Sequence, residues 1–191
     1  MIIRNLDISE CARLAEIDPS FETSQIYQVT KSKPAEPYIE RVECDSVQFV
    51  MPPIFGSTSP SAALRYEDEF DRYDLFLVAE EDDRIIGAVC STPLTQEASY
   101  PPGCVVMPRE YLLAAFAVDR EKRGQKVGAA LLDRVKDHCK EIGCSFISLW
   151  AGFDYVPAVD FYISQGFVIS GWLEPPGCRF DQCRIYLTWH P

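Results

Sequence analysis

The chain has 191 residues, a length that one domain with one core accommodates, so a single domain over 1–191 is the expectation. Apolar residues make up 47% and charged residues 25%, a globular balance that excludes wholesale disorder. The formal net charge of −11 argues against nucleic acid and anionic membrane surfaces as partners; it either attracts cationic small molecules or serves solubility alone.

Residues 8–17 read as a short helix, with Ser9 as its cap and Cys11, Leu14, Ala15 and Ile17 as its buried side. Asp18-Pro19 ends it. Residues 26–30 read as a strand, residues 47–51 as a strand inside a Pro-rich stretch over 31–60, and residues 61–70 as a helix carrying Glu67, Asp68 and Glu69. Residues 75–79 and 84–91 predict a hairpin across the acidic run Glu80-Glu81-Asp82-Asp83. Residues 92–109 hold four prolines and predict a long loop. Residues 111–118 form a continuous apolar run, expected as a central strand.

The clearest helix covers 128–142, with Leu131, Val135, Cys139 and Ile142 on one face and Gly143 as its stop. A strand follows over 145–151, then a short helix over 157–165 with Pro157 in its first turn and Gly166 after it. Residues 167–172 and 184–189 complete the set as strands. The alternation of strands and helices in the second half predicts an α/β layered fold.

No apolar run nears the roughly 20 residues of a membrane helix, and residues 1–7 lack the pattern of a signal peptide, so a cytoplasmic protein is the expectation. The eight cysteines include no CxxC, and with only His138 and His190 a zinc site would need mostly thiolates, so no metal is expected. Cys90 and Cys139 read as small core residues.

The segment richest in chemistry is Leu112 to Gly128, LLAAFAVDREKRGQKVG. A buried strand runs through a loop holding Arg123, Gly124, Lys126 and Gly128 straight into a helix. Backbone N–H groups at a helix N-terminus beside small residues make an anion cradle suited to a pyrophosphate, and basic side chains strengthen it. An ordinary strand–turn–helix with solvated charges accounts for the spacing equally well.

Residues 118–132 resemble the acyl-CoA-binding motif of the GNAT acetyltransferase superfamily, Arg/Gln-x-x-Gly-x-Gly/Ala. Here it reads Arg123-Gly124-Gln125-Lys126-Val127-Gly128, with Lys126 where the first patterned glycine is expected. A second segment, Ala158-Val159-Asp160-Phe161-Tyr162-Ile163-Ser164-Gln165-Gly166-Phe167, resembles the family's Ala-x-x-Phe-Tyr-x-x-x-Gly-Phe. The resemblance covers residues 111–172. It implies a GNAT-like mixed α/β (α+β) fold, a central twisted sheet flanked by helices, and acetyl-CoA as co-substrate. It also implies that Phe116, Ala117 and Val118 hold the pantetheine arm while Arg123, Gly124, Gln125, Lys126, Val127, Gly128 and Ala129 cradle the pyrophosphate.

The family often uses the tyrosine of the second segment as general acid for the leaving thiolate, which implies that role for Tyr162, against a packing role alone. The asparagine often found just ahead of that segment is absent; its place lies near Tyr155. Residues 17–29 and Ile185-Tyr186-Leu187 are similar to the first segment and last strand of streptothricin N-acetyltransferases, although residues 113–118 lack the acidic residues those enzymes carry there.

The activity implied is direct acetyl transfer to the amine of a small cationic acceptor, antibiotic- or polyamine-like. The alternatives are acetylation of a protein N-terminus or lysine, and a non-catalytic acyl-CoA-binding module. Glu110, Asp154, Glu67, Asp68 and Glu69 are the candidates for a general base, each of which reads more readily as a solvated acid. Tyr38, Phe49, Phe55 and Tyr100 in the Pro-rich stretches either line an acceptor site or cover the sheet or an interface. Pairing of sheet edges, common in the superfamily, implies a homodimer by resemblance only.

Overall fold

The computed structural model describes residues 1–30, 38–49, 70–94, 109–174 and 183–191. The helix expected over 61–70 and most of both Pro-rich stretches, with Phe55, Tyr100, Glu67, Asp68 and Glu69, lie outside the described residues, except for a 3-10 turn at Phe70–Arg72. In chain order the strands are β1 (Ile2–Asn5), β2 (Phe21–Thr30), β3 (Tyr38–Phe49), β4 (Leu75–Glu81), β5 (Arg84–Pro93), β6 (Glu110–Val118), β7 (Phe146–Gly152), β8 (Val168–Leu173) and β9 (Arg184–Trp189). The helices are α1 (Val127–Glu141) and α2 (Val156–Ser164), with a 3-10 helix at Ile8–Glu16 and a 3-10 turn at Arg120–Lys122. The expected mixed α/β architecture holds, and every strand pair with a recorded register is antiparallel. The chain forms two compact units.

The first unit comprises Met1–Ser20, Val50–Ile147 and His190–Pro191. Its strands run side by side in the order β1-β4-β5-β6. The β4–β5 hairpin turns through Asp82 and Asp83 at φ 51° and 61°, left-handed positions that short acidic side chains tolerate and that a two-residue hairpin turn requires. β4 and β5 are apolar and buried on both faces, which explains their continuous hydrophobic runs. One side packs the 3-10 helix at Ile8–Glu16 in a core of Leu6, Cys11, Leu14, Ile17, Phe76, Val78, Ala88, Cys90, Ala115 and Ala117.

α1 packs on β4, β5 and β6 through Val127, Leu131, Leu132, Val135 and Cys139. Gly87 permits the close approach: a Cβ there would lie 3.1 Å from Leu131 Cδ1 and from Val127 Cγ1, and 3.3 Å from the Ala117 carbonyl. Ile142, expected on the buried face, is 47% exposed because α1 has already ended.

The N-terminal helix differs from expectation in three respects. It is a 3-10 helix; its cap is Asp7, not Ser9; and Ala15 is exposed. Asp7 accepts from Ser9 N at 2.9 Å while Glu10 accepts from Asp7 N at 3.3 Å, a reciprocal capping box. A period of three residues places Cys11, Leu14 and Ile17 on one face and turns Ala15 off it. β1, absent from the sequence reading, pairs with β4 from Ile2↔Glu80 to Asn5↔Leu77.

The second unit comprises Phe21–Phe49 and Ser148–Trp189. β7, β9 and β8 lie side by side in that order, while β2 and β3 form a separate pair with Phe21 opposite Phe49 and Thr30 opposite Tyr38. Both β2 and β3 are longer than the strands expected at 26–30 and 47–51. α2 packs on β2 and β8, with Pro157 in its first turn and Gly166 beyond it at φ 86°. The Tyr27 amide donates to the Phe153 carbonyl at 2.8 Å, and the rings of Phe21 and Tyr155 lie 5.4 Å apart.

Candidate functional site

The loop between β6 and α1 is built on a buried carboxylate. β6 pairs with β5 through Phe116↔Val89, Ala117↔Ala88 and Val118↔Gly87. Ala117 is buried, and Phe116 and Val118 are half-buried. The strand stops at Asp119, 1% exposed, whose amide donates to the Ile86 carbonyl at 2.9 Å. Its Oδ1 accepts from Glu121 N at 3.0 Å and so caps the turn Arg120–Lys122. Its Oδ2 accepts from Arg84 Nη2 at 2.6 Å and from Asp18 N at 3.2 Å.

Arg123 completes the frame. Its guanidinium donates to the carbonyls of Ser20 at 2.8 Å, Pro19 at 2.8 Å and Val118 at 3.3 Å. The side chain expected to face a phosphate instead clasps the backbone on both sides of the loop. Burial lowers its pKa from the usual arginine value, yet a guanidinium remains cationic at any physiological pH. Asp18 lies beside it, its carboxyl held below the usual range by bonds from the Ser20 side chain and amide. Gln125, exposed, bonds within the loop, its side-chain amide donating to the Glu121 carbonyl at 2.9 Å.

Gly124 and Lys126 both take the left-handed conformation, at φ 76° and 65°. Nothing lies within 4 Å of the position a Gly124 Cβ would occupy. Lys126 stands at the N-cap of α1 and offers no side-chain cap; its carbonyl accepts from Ala130 N at 3.0 Å. The amides of Val127, Gly128 and Ala129 belong to the first turn, which has no intrahelical acceptors for them. They lie at the positive end of the helix dipole, next along the chain to the exposed Lys126. Lys126 thus adopts a left-handed backbone that a glycine would take more readily.

Tyr162 belongs to the second unit. It lies on the buried face of α2 with Val156 and Val159, 7% exposed, its ring 5.5 Å from that of Phe167 and 5.4 Å from that of Phe161. Burial pushes its phenol above the usual tyrosine range. Asp154, in the same unit, is 7% exposed and packs so near β7 that a Cβ on Gly152 would collide with its Oδ1. Burial, with the Asp154 charge second, raises the Tyr155 phenol. Tyr38 is 48% exposed.

Glu110, 7% exposed, opens β6 at the end opposite the loop. There it joins Asp74, Pro93, Arg109, Ile142, Gly143 and Cys144 around an open cavity of about 570 Å³. Behind it, Ser91 Oγ donates to Tyr111 Oη at 3.2 Å, Tyr111 Oη donates to Asp74 Oδ2 at 3.1 Å, and His138 Nε2 lies 2.6 Å from the same carboxylate oxygen. Burial raises the Tyr111 phenol above its ordinary value.

The frame of Asp119, Arg84 and Asp18 escaped the sequence reading, as did the Ser91–Tyr111–Asp74–His138 chain. An Asp immediately after an apolar strand, two residues before Glu121, carries the signature of a side chain that caps its own turn; the long-range partners left no local signal. Among the described residues no group of three or more His, Cys, Asp or Glu is placed to hold a metal ion, and no helix is long and apolar enough to cross a membrane.

Comparison with known proteins agrees with this architecture. An uncharacterized N-acetyltransferase of Methanocaldococcus jannaschii is 35% identical over 61 residues, 30% of this chain and 27% of that relative, so the chain matches about a quarter of its length. The solved nourseothricin acetyltransferase has a TM-score of 0.74 at 20% identity, covering 99% of this chain and 97% of that one. A Bacillus anthracis protein solved with acetyl coenzyme A, provisionally assigned as a streptothricin acetyltransferase, has a TM-score of 0.70 at 22% identity over 99% and 96% of the two chains. At these identities the two structures share the fold. The family model described as the acetyltransferase (GNAT) family matches residues 43–167, more than half of the sequence, and the chain therefore belongs to the acetyltransferase (GNAT) family.

Proposed function

We propose that this protein transfers the acetyl group of acetyl-CoA to the amine of a small cationic acceptor. The observation that carries the reading is the uncapped N-terminus of α1, entered through left-handed Gly124 and Lys126 and held by Asp119 and Arg123. Three first-turn amides, a helix dipole and an exposed ammonium suit a pyrophosphate. The solved relative with bound acetyl coenzyme A shares this fold.

In this reading the acceptor nitrogen attacks the thioester carbonyl, a C–N bond forms, and the C–S bond breaks as the tetrahedral centre collapses. Backbone amides of the Phe116–Val118 segment stabilise the oxyanion. The departing thiolate takes a proton from the phenol of Tyr162. The amine must be neutral to attack, and its proton leaves through water to a carboxylate; Asp154 and Glu110 are the buried candidates. Most of the acceleration comes from holding the two substrates together. The net charge of −11 supports a cationic acceptor, antibiotic- or polyamine-like.

The test is acetyl-CoA with a panel of streptothricin, aminoglycosides, polyamines, amino acids and peptides, read by mass spectrometry. A product heavier by one acetyl group from a cationic small molecule supports the reading. A peptide product moves the acceptor class to protein. Acetyl-CoA that raises the melting temperature without any acetylated amine leaves a binding module, and no shift at all overturns the cradle.

A further inference from the structure

We propose that Cys139 and Cys144 are a modification site: a paired dithiol that closes to an intramolecular disulfide under a two-electron oxidant such as hydrogen peroxide. The inference is independent of the acetyl-transfer reading. α1 ends in a Schellman motif, with Cys144 N donating to the Cys139 carbonyl at 2.9 Å, Gly143 N donating to the Lys140 carbonyl at 3.1 Å, and Gly143 at φ 72°. In this motif the side chains of the two outer residues meet across the turn. Here both are cysteines, and the Cys144 side chain is among the neighbours that raise the Cys139 thiol, after its burial. The backbone bond across the pair holds the two Cα atoms close, as a disulfide requires.

The two sulfurs differ in access. Cys139 is fully buried, while Cys144 is half-buried and lines the open cavity with Asp74, Arg109 and Glu110. That asymmetry assigns the order of events. The Cys144 thiol gives up its proton and its sulfur attacks peroxide; an S–O bond forms as the O–O bond breaks, and the departing hydroxide takes up that proton and leaves as water. Cys139 then attacks the Cys144 sulfenic sulfur, the S–S bond forms, the S–O bond breaks, and a second water carries away the remaining proton and hydroxyl. Two thiols are oxidised by two electrons and one peroxide is reduced to two waters. Cys11 and Cys90, 1% and 0% exposed within the core of the same unit, lack such an entry from solvent.

The test uses the folded full-length protein, treated with peroxide, alkylated under denaturing conditions without reductant and digested with trypsin. Lys140 lies between the two cysteines, so trypsin separates residues 137–140 from residues 141–179. The expected result is that these two peptides become covalently linked as the main product and are released by dithiothreitol. Cys178 shares the second peptide, so the link must persist in Cys178→Ser and vanish in Cys144→Ser. Recovery of Cys139 and Cys144 as separate alkylated peptides overturns the proposal. So does Cys144 recovered as sulfinic acid beside a free Cys139, or a linked pair that survives Cys144→Ser.

Discussion

Lys126 holds φ 65° at the entrance to α1, where its Cβ crowds the backbone and a glycine would not. Lys126→Gly should therefore stabilise the fold by about 1 kcal/mol in urea unfolding. Removal of the ammonium from the cradle should at the same time weaken acetyl-CoA binding in titration. A destabilised variant would mean that the lysine side chain contributes more than its backbone costs. Asp119 is the opposite case, a buried carboxylate that accepts three recorded hydrogen bonds. Asp119→Ala removes three acceptor contacts and leaves the Arg84 cation unpaired there; because Arg84 is partly exposed, a loss of about 2 kcal/mol is expected, with weaker acetyl-CoA binding. An unchanged Kd alongside the lower stability would show that the frame is not needed for the cradle. For Tyr162→Phe, turnover should fall by about 10²-fold or more while acetyl-CoA still raises the melting temperature. Unchanged turnover would leave Tyr162 a packing residue among Phe161 and Phe167.

At the scale of elements, α1 sits where Gly87 lets it sit. Gly87→Val would push against Leu131, Val127 and the Ala117 carbonyl at once, and is expected to cost about 1–3 kcal/mol in denaturant unfolding. The N-terminal strand and 3-10 helix are held differently, by Arg4 bridging Glu10 at 2.6 Å and Glu80 at 2.6 Å. The Arg4 guanidinium holds Glu10 down to about 2 from its ordinary 4.5. A depressed carboxylate contributes stability that is complete above pH 4.5 and is lost as pH falls toward 2. Glu10→Gln should therefore lower stability at pH 7 and narrow its difference from the parent through that window, as read by urea midpoints. A difference independent of pH would mean that the carboxylate charge plays no part.

This scale also separates what periodicity reveals from what it misses. The apolar spacing of α1 and the hairpin of β4 and β5 were legible because burial repeats at 3.6 and on both faces. The N-terminal helix misled because Cys11, Leu14 and Ile17 suit a period of three as well as one of 3.6, and only the exposed Ala15 tells them apart.

For the whole molecule, the net charge of −11 bears on the acceptor. If that charge draws in a cationic substrate, raising salt should raise its KM, because screening shortens the reach of the field. A KM insensitive to salt would assign the acidity to solubility.

The sequence by itself determined the two anchor segments, the order of strands and helices around them, and the family, because those rest on local spacing along the chain. The long-range contacts were decided by tertiary structure alone. Asp18, Arg84 and Asp119 are distant in sequence and meet only when β5, β6 and the N-terminal segment come together. The direction of Arg123, toward the carbonyls of Pro19 and Ser20 rather than outward, follows from the same convergence. A side chain in a loop takes the acceptors that folding brings within reach, and no pattern of neighbours along the chain encodes which carbonyls those are.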